Sequence, residues 1–166
     1  MIRPPMSLIA AGLVALVGAA GLVRGALPQA TPASASPAGA PMVVSGAYVR
    51  EPANGINAAA YFTVYNTTAD ADVLTTVNSG AGAETTLHAE TDGSMSASAA
   101  GLTIPAHGSV TLSPGKGHAM IEKLYGALKP GQTVNLQLDF AKAGEMLVTA
   151  PVIAISAPAP TAGAPK

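Results

Sequence analysis

Residues 133–140, "TVNLQLDF", alternate without a fault: Val134, Leu136, Leu138 and Phe140 fall between Thr133, Asn135, Gln137 and Asp139. Successive side chains of an extended strand point to opposite sides, so this pattern describes a strand with one face buried and one in water. A lone strand cannot bury a face, so the rest of the chain must supply a sheet. Candidate strands lie all along it: "MVVSGAYV", "AAAYFTVYN", "DVLTTVN", "ETTLHAE", "GLTI", "SVTL", "HAMIEKL" and "EMLVTAPV". In the second of these, Ala60, Phe62 and Val64 share one face, and Tyr61, Thr63 and Tyr65 the other. "EMLVTAPV" follows residues 133–140 across Lys142-Ala143-Gly144, which reads as a hairpin. Turn residues stand between the others, at Thr67 to Asp70, Pro105 to Gly108, Pro114 to Gly117 and Pro130-Gly131. About nine short strands at this spacing, with no long amphipathic helix, predict an all-β antiparallel sandwich or barrel.

The ends of the chain have a different composition. Arg3 precedes an uncharged apolar run from Met6 to Val23, Arg24 closes the run, and small residues follow, including Ala33-Ser34-Ala35. Residues 1–26 therefore read as a signal peptide or membrane anchor, which places the protein in the periplasm or on the extracytoplasmic cell surface. Residues 27–42 read as a Pro/Ala-rich linker, 43–154 as the folded domain, and 155–166, "ISAPAPTAGAPK", as a disordered tail. The chain has no cysteine. No lipid-bearing cysteine follows the apolar run, and no disulfide can staple the exported domain, so stability must come from an ordinary apolar core. Without Arg3 and Arg24 the balance is 6 basic against 9 acidic residues. With no basic patch, nucleic acid is excluded as a partner.

Motifs for catalysis are missing. The sequence has no G-x-S-x-G, no P-loop, no H-E-x-x-H and no G-x-G-x-x-G after a strand, and without cysteine it offers neither thiol catalysis nor a zinc–thiolate site. It is not read as an enzyme. What remains is a set of soft and borderline donors. His118 and Met120, at i and i+2 of one strand, point to the same face. His88 ends another strand, and Met95 lies in the loop after it, "TDGSMSAS". Two imidazoles and two thioethers meeting at one end of a sandwich would suit Cu(I), because thioether sulfur is a soft ligand with little affinity for zinc, calcium or magnesium. Each residue also has a plainer reading: His118 as a surface histidine, Met120 as core filler, His107 as a turn residue, Met146 as core beside Val148 and Ala150, and Met42 as incidental at the linker edge. An exposed methionine in a polar Gly/Ser loop, Met95, has the weakest such account.

Several dispersed segments carry a family likeness. "GAYVREP", "NAAAYFTVYNTTADADVL", "TTLHAE", "GLTIPAHGSVTLSPGKGHAMIEKL" and "ALKPGQTVNLQLDFAKAGEMLVTAPV", spanning roughly residues 44–152, resemble in order the PCu(A)C-type periplasmic copper chaperones. That family's pattern is a histidine, about ten residues, a methionine, about twenty-one residues, then H-x-M. The resemblance implies a cupredoxin-like antiparallel β-sandwich of Greek-key type, with about eight to nine short strands. It implies Cu(I) bound by His88, Met95, His118 and Met120, and delivery of the ion to a cytochrome c oxidase subunit or assembly factor. A monomer with a possible N-terminal membrane anchor is the expected form. The sequence departs from the family in one place: only six residues separate His88 from Met95, while twenty-two separate Met95 from His118. A blue-copper redox site is excluded, because it needs a cysteine thiolate. Two other readings stand beside the chaperone: a CopC-like copper-resistance protein binding Cu(II) through further nitrogen or oxygen ligands, and a metal-free Ig-like surface module.

Overall fold

The computed structural model describes residues 41–91, 93–161 and 163. The expected signal or anchor, and the linker as far as residue 40, lie outside these. Ten strands are described: β1 (Met42–Arg50), β2 (Ala58–Asn66), β3 (Asp72–Ser79), β4 (Gly82–Thr91), β5 (Ser94–Ala97), β6 (Leu102–Ile104), β7 (Ser109–Leu112), β8 (Gly117–Leu124), β9 (Thr133–Phe140) and β10 (Gly144–Ile153). The all-β expectation holds, with one strand more than the alternation reveals.

The hydrogen-bonded path runs β5-β4-β8-β2-β1-β10-β9-β3-β6, and β7 pairs with β2 as well. All pairs are antiparallel except β1 with β10, which join in parallel at Val49↔Val152 and Arg50↔Ile153. β10 turns the corner between two wings. Its first eight residues pair with β9, from Gly144↔Phe140 to Pro151↔Thr133, and its last two pair with β1. The wings enclose one apolar cluster, in which Leu87, Ala119 and Ile121 from one side meet Leu74, Leu136 and Leu138 from the other. The β9–β10 hairpin has the alternation read from the sequence, with Val134, Leu136, Leu138 and Phe140 all buried. Met42, which its position beside the linker marks as incidental, is in fact among the most buried side chains.

Two local devices shape the face that matters. Along β1 the register slips between Ser45 and Tyr48: two residues, Gly46 and Ala47, stand opposite the single Phe62 of β2. Gly46, at φ 63°, takes the left-handed conformation that such a bulge requires. Without the extra residue Tyr48 would share the core side with Val44. With it, Tyr48 turns to the outer face, opposite Tyr61. The second device is the Ser113–Gly117 turn between β7 and β8, which lets both strands line the same edge of β2. Phe62 pairs with Leu112, and Ala60 with Ala119.

Asp72 ties the second wing together. Its carboxylate accepts the backbone N–H groups of Val73 (2.7 Å), Lys142 (2.9 Å) and Ala143 (2.9 Å), clamping the β9–β10 turn onto β3. Burial would raise its pKa, but these three N–H groups and the Lys142 charge outweigh it and hold the carboxyl below its ordinary value.

Candidate metal centre

His88 and His118 are direct partners across the antiparallel β4–β8 pair. Cross-strand partners share a face, and here the two rings lie parallel, with centroids 5.0 Å apart and planes within 1°. Met120, two residues beyond His118, points to the same side opposite Thr86 of β4 and Ala59 of β2. The opposite side of these strands belongs to the core: Leu87, Ala119 and Ile121 are buried. The strand period alone therefore separates donors from packing residues, as the sequence pattern implies.

Met95 is placed differently from expectation. It is not in a loose loop but on β5, which closes a hairpin with β4 through the pairs Thr91↔Ser94, Glu90↔Met95, Ala89↔Ser96 and His88↔Ala97. Gly93 (φ 78°) donates its N–H to Glu90 Oε1 at 2.8 Å. The short His88-to-Met95 spacing is what allows this tight connection. The available signal is the Asp92-Gly93 pair, a strong two-residue hairpin sequence. No alternation of apolar residues marks "SMSA", whose four residues are all exposed. Met95 shares His88's face and is 39% exposed.

The imidazoles continue a row of rings across four strands. Tyr48 stacks on Tyr61 at 5.0 Å, Tyr61 meets the His118 ring at 6.3 Å and 57°, and His118 stacks on His88. Neither tyrosine could be foreseen beside the histidines, because the row exists only once β1, β2, β8 and β4 are in register. Tyr48 is buried although it lies on an outer face. Arg50 covers it, with its guanidinium carbon 5.7 Å from the ring centroid. Arg50 Nη1 in turn donates to the carbonyls of Ile155 (2.7 Å), Ala157 (2.9 Å) and Ala154 (3.3 Å). The chain after β10 thereby runs over the β1–β2 surface, and Ala159 and Pro160 line a small cleft with Tyr48, Thr63, Thr111 and Pro114. Burial raises the Tyr61 pKa, with a further rise from Tyr48 and an opposing pull from Arg50.

Gly117 lets the two histidine strands meet. At φ 151° it occupies backbone space closed to residues with a side chain. A Cβ there would lie 2.7 Å from the His88 carbonyl oxygen and 2.9 Å from Leu112 Cδ2. The preceding turn is fastened to β4 by Glu90 N–H donating to the Lys116 carbonyl at 3.2 Å.

The electrostatics favour a neutral, electron-donating site. Burial lowers the His118 pKa, and His88 beside it lowers it further, so this imidazole keeps its lone pair below the usual pH range. Its Nε2 is buried and has no hydrogen-bond partner. Such an atom calls for an explanation, and an incoming ion supplies one. Among the described residues no group of three or more His, Cys, Asp or Glu side chains gathers to hold a metal. Two imidazoles with thioethers as the remaining donors would discriminate against hard cations and suit a soft monovalent one. Metal–imidazole bonds of about 2.0–2.1 Å from two nitrogens to one ion are compatible with ring centroids about 5–6 Å apart. The remaining histidine, His107, sits exposed in the β6–β7 turn at φ 49°, its N–H bonded to the Thr68 carbonyl at 3.0 Å.

Known proteins share this architecture. The copper-bound PCuAC domain from PmoF2 superposes with a TM-score of 0.60 at 24% identity, over 69% of this chain and 93% of that one. The apo PCuAC domain from PmoF1 gives 0.61 at 25% identity, over 69% and 94%. The CuI form of DR1885 from Deinococcus radiodurans gives 0.58 at 29% identity, over 73% and 81%. No curated protein matches the chain. Residues 42–152 match the family described as lipoprotein LpqE-like, although the cysteine that a lipid anchor would use is absent from these 166 residues. That match takes in every strand but the last residue of β10, and with the fold it shows that the chain belongs to the LpqE-like family, whose architecture is that of the PCuAC domain.

Proposed function

We propose that the protein is an exported copper chaperone that binds Cu(I) through His88, His118, Met120 and Met95 and passes it on by ligand exchange. The observation that carries this reading is the registered His88–His118 pair, with rings 5.0 Å apart, a buried unpartnered Nε2 on His118, and Met120 on the same face. The relatives agree in kind: DR1885 has been solved in a CuI form and the PmoF2 domain with copper bound. A neutral shell leaves the single positive charge of Cu(I) uncancelled. The ion is held by soft donors without being trapped, which suits a carrier. The scaffold's part is to hold both imidazoles rigidly, since they sit on adjacent strands backed by the core. The recipient assigned by family resemblance is a copper site of cytochrome c oxidase or the factor that builds it.

Ligand binding to the folded form raises the melting temperature by mass action, by about 2.7 kcal/mol when free ligand is a hundredfold above Kd. For a domain of this size that corresponds to about 10 °C. A thermal scan under reducing conditions should give that rise for the wild type with Cu(I), and none for His118→Ala/Met120→Ala. No rise in the wild type would favour the metal-free module, and a rise with Cu(II) alone would favour the CopC-like reading.

A further inference from the structure

Tyr48 and Thr63 lie on the outer face of β1 and β2, yet both are buried, Tyr48 to 3% exposure. Their cover includes the chain after β10. It turns at once, with the Ala157 N–H bonded to the Ala154 carbonyl at 3.0 Å, and runs on to Ala159 and Pro160 beside the β1 bulge at Gly46. Arg50 grips this segment by main-chain carbonyls alone, those of Ala154, Ile155 and Ala157, so its hold does not depend on which side chains pass. Pro158 and Pro160 bias the residues before them toward an extended path. Extended proline segments settle on tyrosine-lined surfaces at a low cost in ordering. Ile155, the one large apolar side chain of residues 154–160, stays exposed. The cover therefore rests on few contacts, and another segment of the same kind can replace it.

The chain's own tail is also an incomplete fit. Ala159 and Pro160 close a cleft of about 110 Å³ with Tyr48, Thr63, Thr111 and Ser113, a volume with room for a short side chain. The Thr63 and Thr111 hydroxyls satisfy each other at 3.1 Å. The Tyr48 hydroxyl is buried and has no hydrogen-bond partner among the described residues. A buried hydroxyl left unpaired destabilises the arrangement that leaves it so. Neither Ala159 nor Pro160 has a side-chain group that could meet it. None of the described residues that line the cleft is acidic, and the Arg50 guanidinium stands over the Tyr48 ring, its carbon 5.7 Å from the centroid. The group that this cleft lacks is a hydrogen-bond acceptor.

We propose that this face is a docking groove for an extended, proline-containing segment of a partner protein, one that carries a short acceptor side chain, Asp or Asn, where this chain's tail has Ala159. Residues 154–160 occupy the groove until such a segment displaces them. The partner's carbonyls take over the contacts to Arg50, and its carboxylate or carboxamide oxygen accepts the Tyr48 hydroxyl. A second copy of this chain is a poorer occupant. Its tail has the same alanine, and the tether holds the chain's own tail at an effective concentration of about millimolar. The row of rings from Tyr48 through Tyr61 reaches His118, so a docked partner stands beside the histidine pair.

The test uses fluorescent peptides with the sequence of residues 154–166, unaltered or carrying Ala159→Asn or Ala159→Asp, titrated by anisotropy against the metal-free full chain and against a chain ending at Ile153. The shortened chain should bind the unaltered peptide, and at least one substituted peptide about tenfold more tightly. The full chain, whose own tail competes, should bind each peptide about tenfold or more weakly than the shortened one. Tyr48→Phe should erase the advantage of the substituted peptides and leave the affinity for the unaltered one within about twofold. Equal affinities for the three peptides, an advantage that survives Tyr48→Phe, or no binding to the shortened chain would overturn the proposal. A full chain that dimerises through its tail would overturn it too, by assigning the groove to a second copy. If the shortened chain does not fold, hydrogen exchange in the full chain decides. A saturating Ala159→Asn peptide should speed exchange at residues 155–157 by about tenfold, and unaltered exchange would refute displacement.

Discussion

Replacing Gly117 by alanine is the sharpest structural perturbation of the site that leaves every donor in place. The φ of 151° lies in a region essentially reserved for glycine, and holding alanine there costs about 1–3 kcal/mol. The new Cβ would also press on the His88 carbonyl oxygen at 2.7 Å and on Leu112 Cδ2 at 2.9 Å. The carbonyl is backbone of the paired strand and cannot swing aside, so β4 and β8 must separate, which adds about 1–3 kcal/mol. The combined loss of about 2–6 kcal/mol corresponds to a fall in melting temperature of about 8–24 °C for a domain of this size. Because the strain falls between the two histidines, the variant should also lose most of its Cu(I)-dependent stabilisation. Gly115→Ala is the control. Gly115 also has a positive φ, 85°, but a Cβ there would meet nothing within 4 Å, so only the backbone cost applies. Thermal scans of wild type and both variants, each with and without Cu(I), make the comparison. If Gly117→Ala melts within about 2 °C of Gly115→Ala and keeps the full copper response, the claim that this glycine sets the histidine spacing is wrong.

Two further outcomes follow from the scaffold. Asp72 has its carboxyl held below the ordinary 3.8, so its contribution is fully present above that value and is lost as pH falls through the lower folded value. Asp72→Asn should cost about 1–2 kcal/mol near neutral pH and flatten the acid limb of a stability-against-pH curve below about pH 4, and an unchanged acid limb would contradict the clamp. Arg50→Met removes the donor to three carbonyls beyond β10. Hydrogen exchange at residues 155–157 should rise by about tenfold, with a stability loss of about 1–2 kcal/mol, and unaltered exchange would mean that other contacts hold the segment.

The sequence made some of these features readable and hid others, for physical reasons. Strands β9 and β10 were plain, because a half-buried strand writes its two faces as alternating residues. The same period put His118 and Met120 on one face before any partner strand was known. β5 left no such trace: Ser94, Ser96 and Ala97 bury nothing, so only its Asp-Gly turn advertised it. β2 reads as half-buried, yet Tyr61 and Thr63 are buried too. Near these residues the cover on the outer face comes from Arg50 and from chain more than ninety residues away in sequence, and local pattern carries no record of it. The parallel β1–β10 pair and the row of rings from Tyr48 to His88 are hidden for the same reason. The place of Met95 on β5, opposite Glu90, depends on the short β4–β5 connection, and the length of that connection, though not its consequence, is visible in the spacing.

Competition for Cu(I) against a colorimetric chelator, under reductant, addresses the function most directly. The wild-type chain should withdraw one equivalent of Cu(I), and His88→Ala or His118→Ala should withdraw about a hundredfold less tightly, since each removes one of two imidazoles from the ion. A wild-type chain that leaves the chelator fully loaded, or single histidine variants that compete as well as the wild type, would contradict the account.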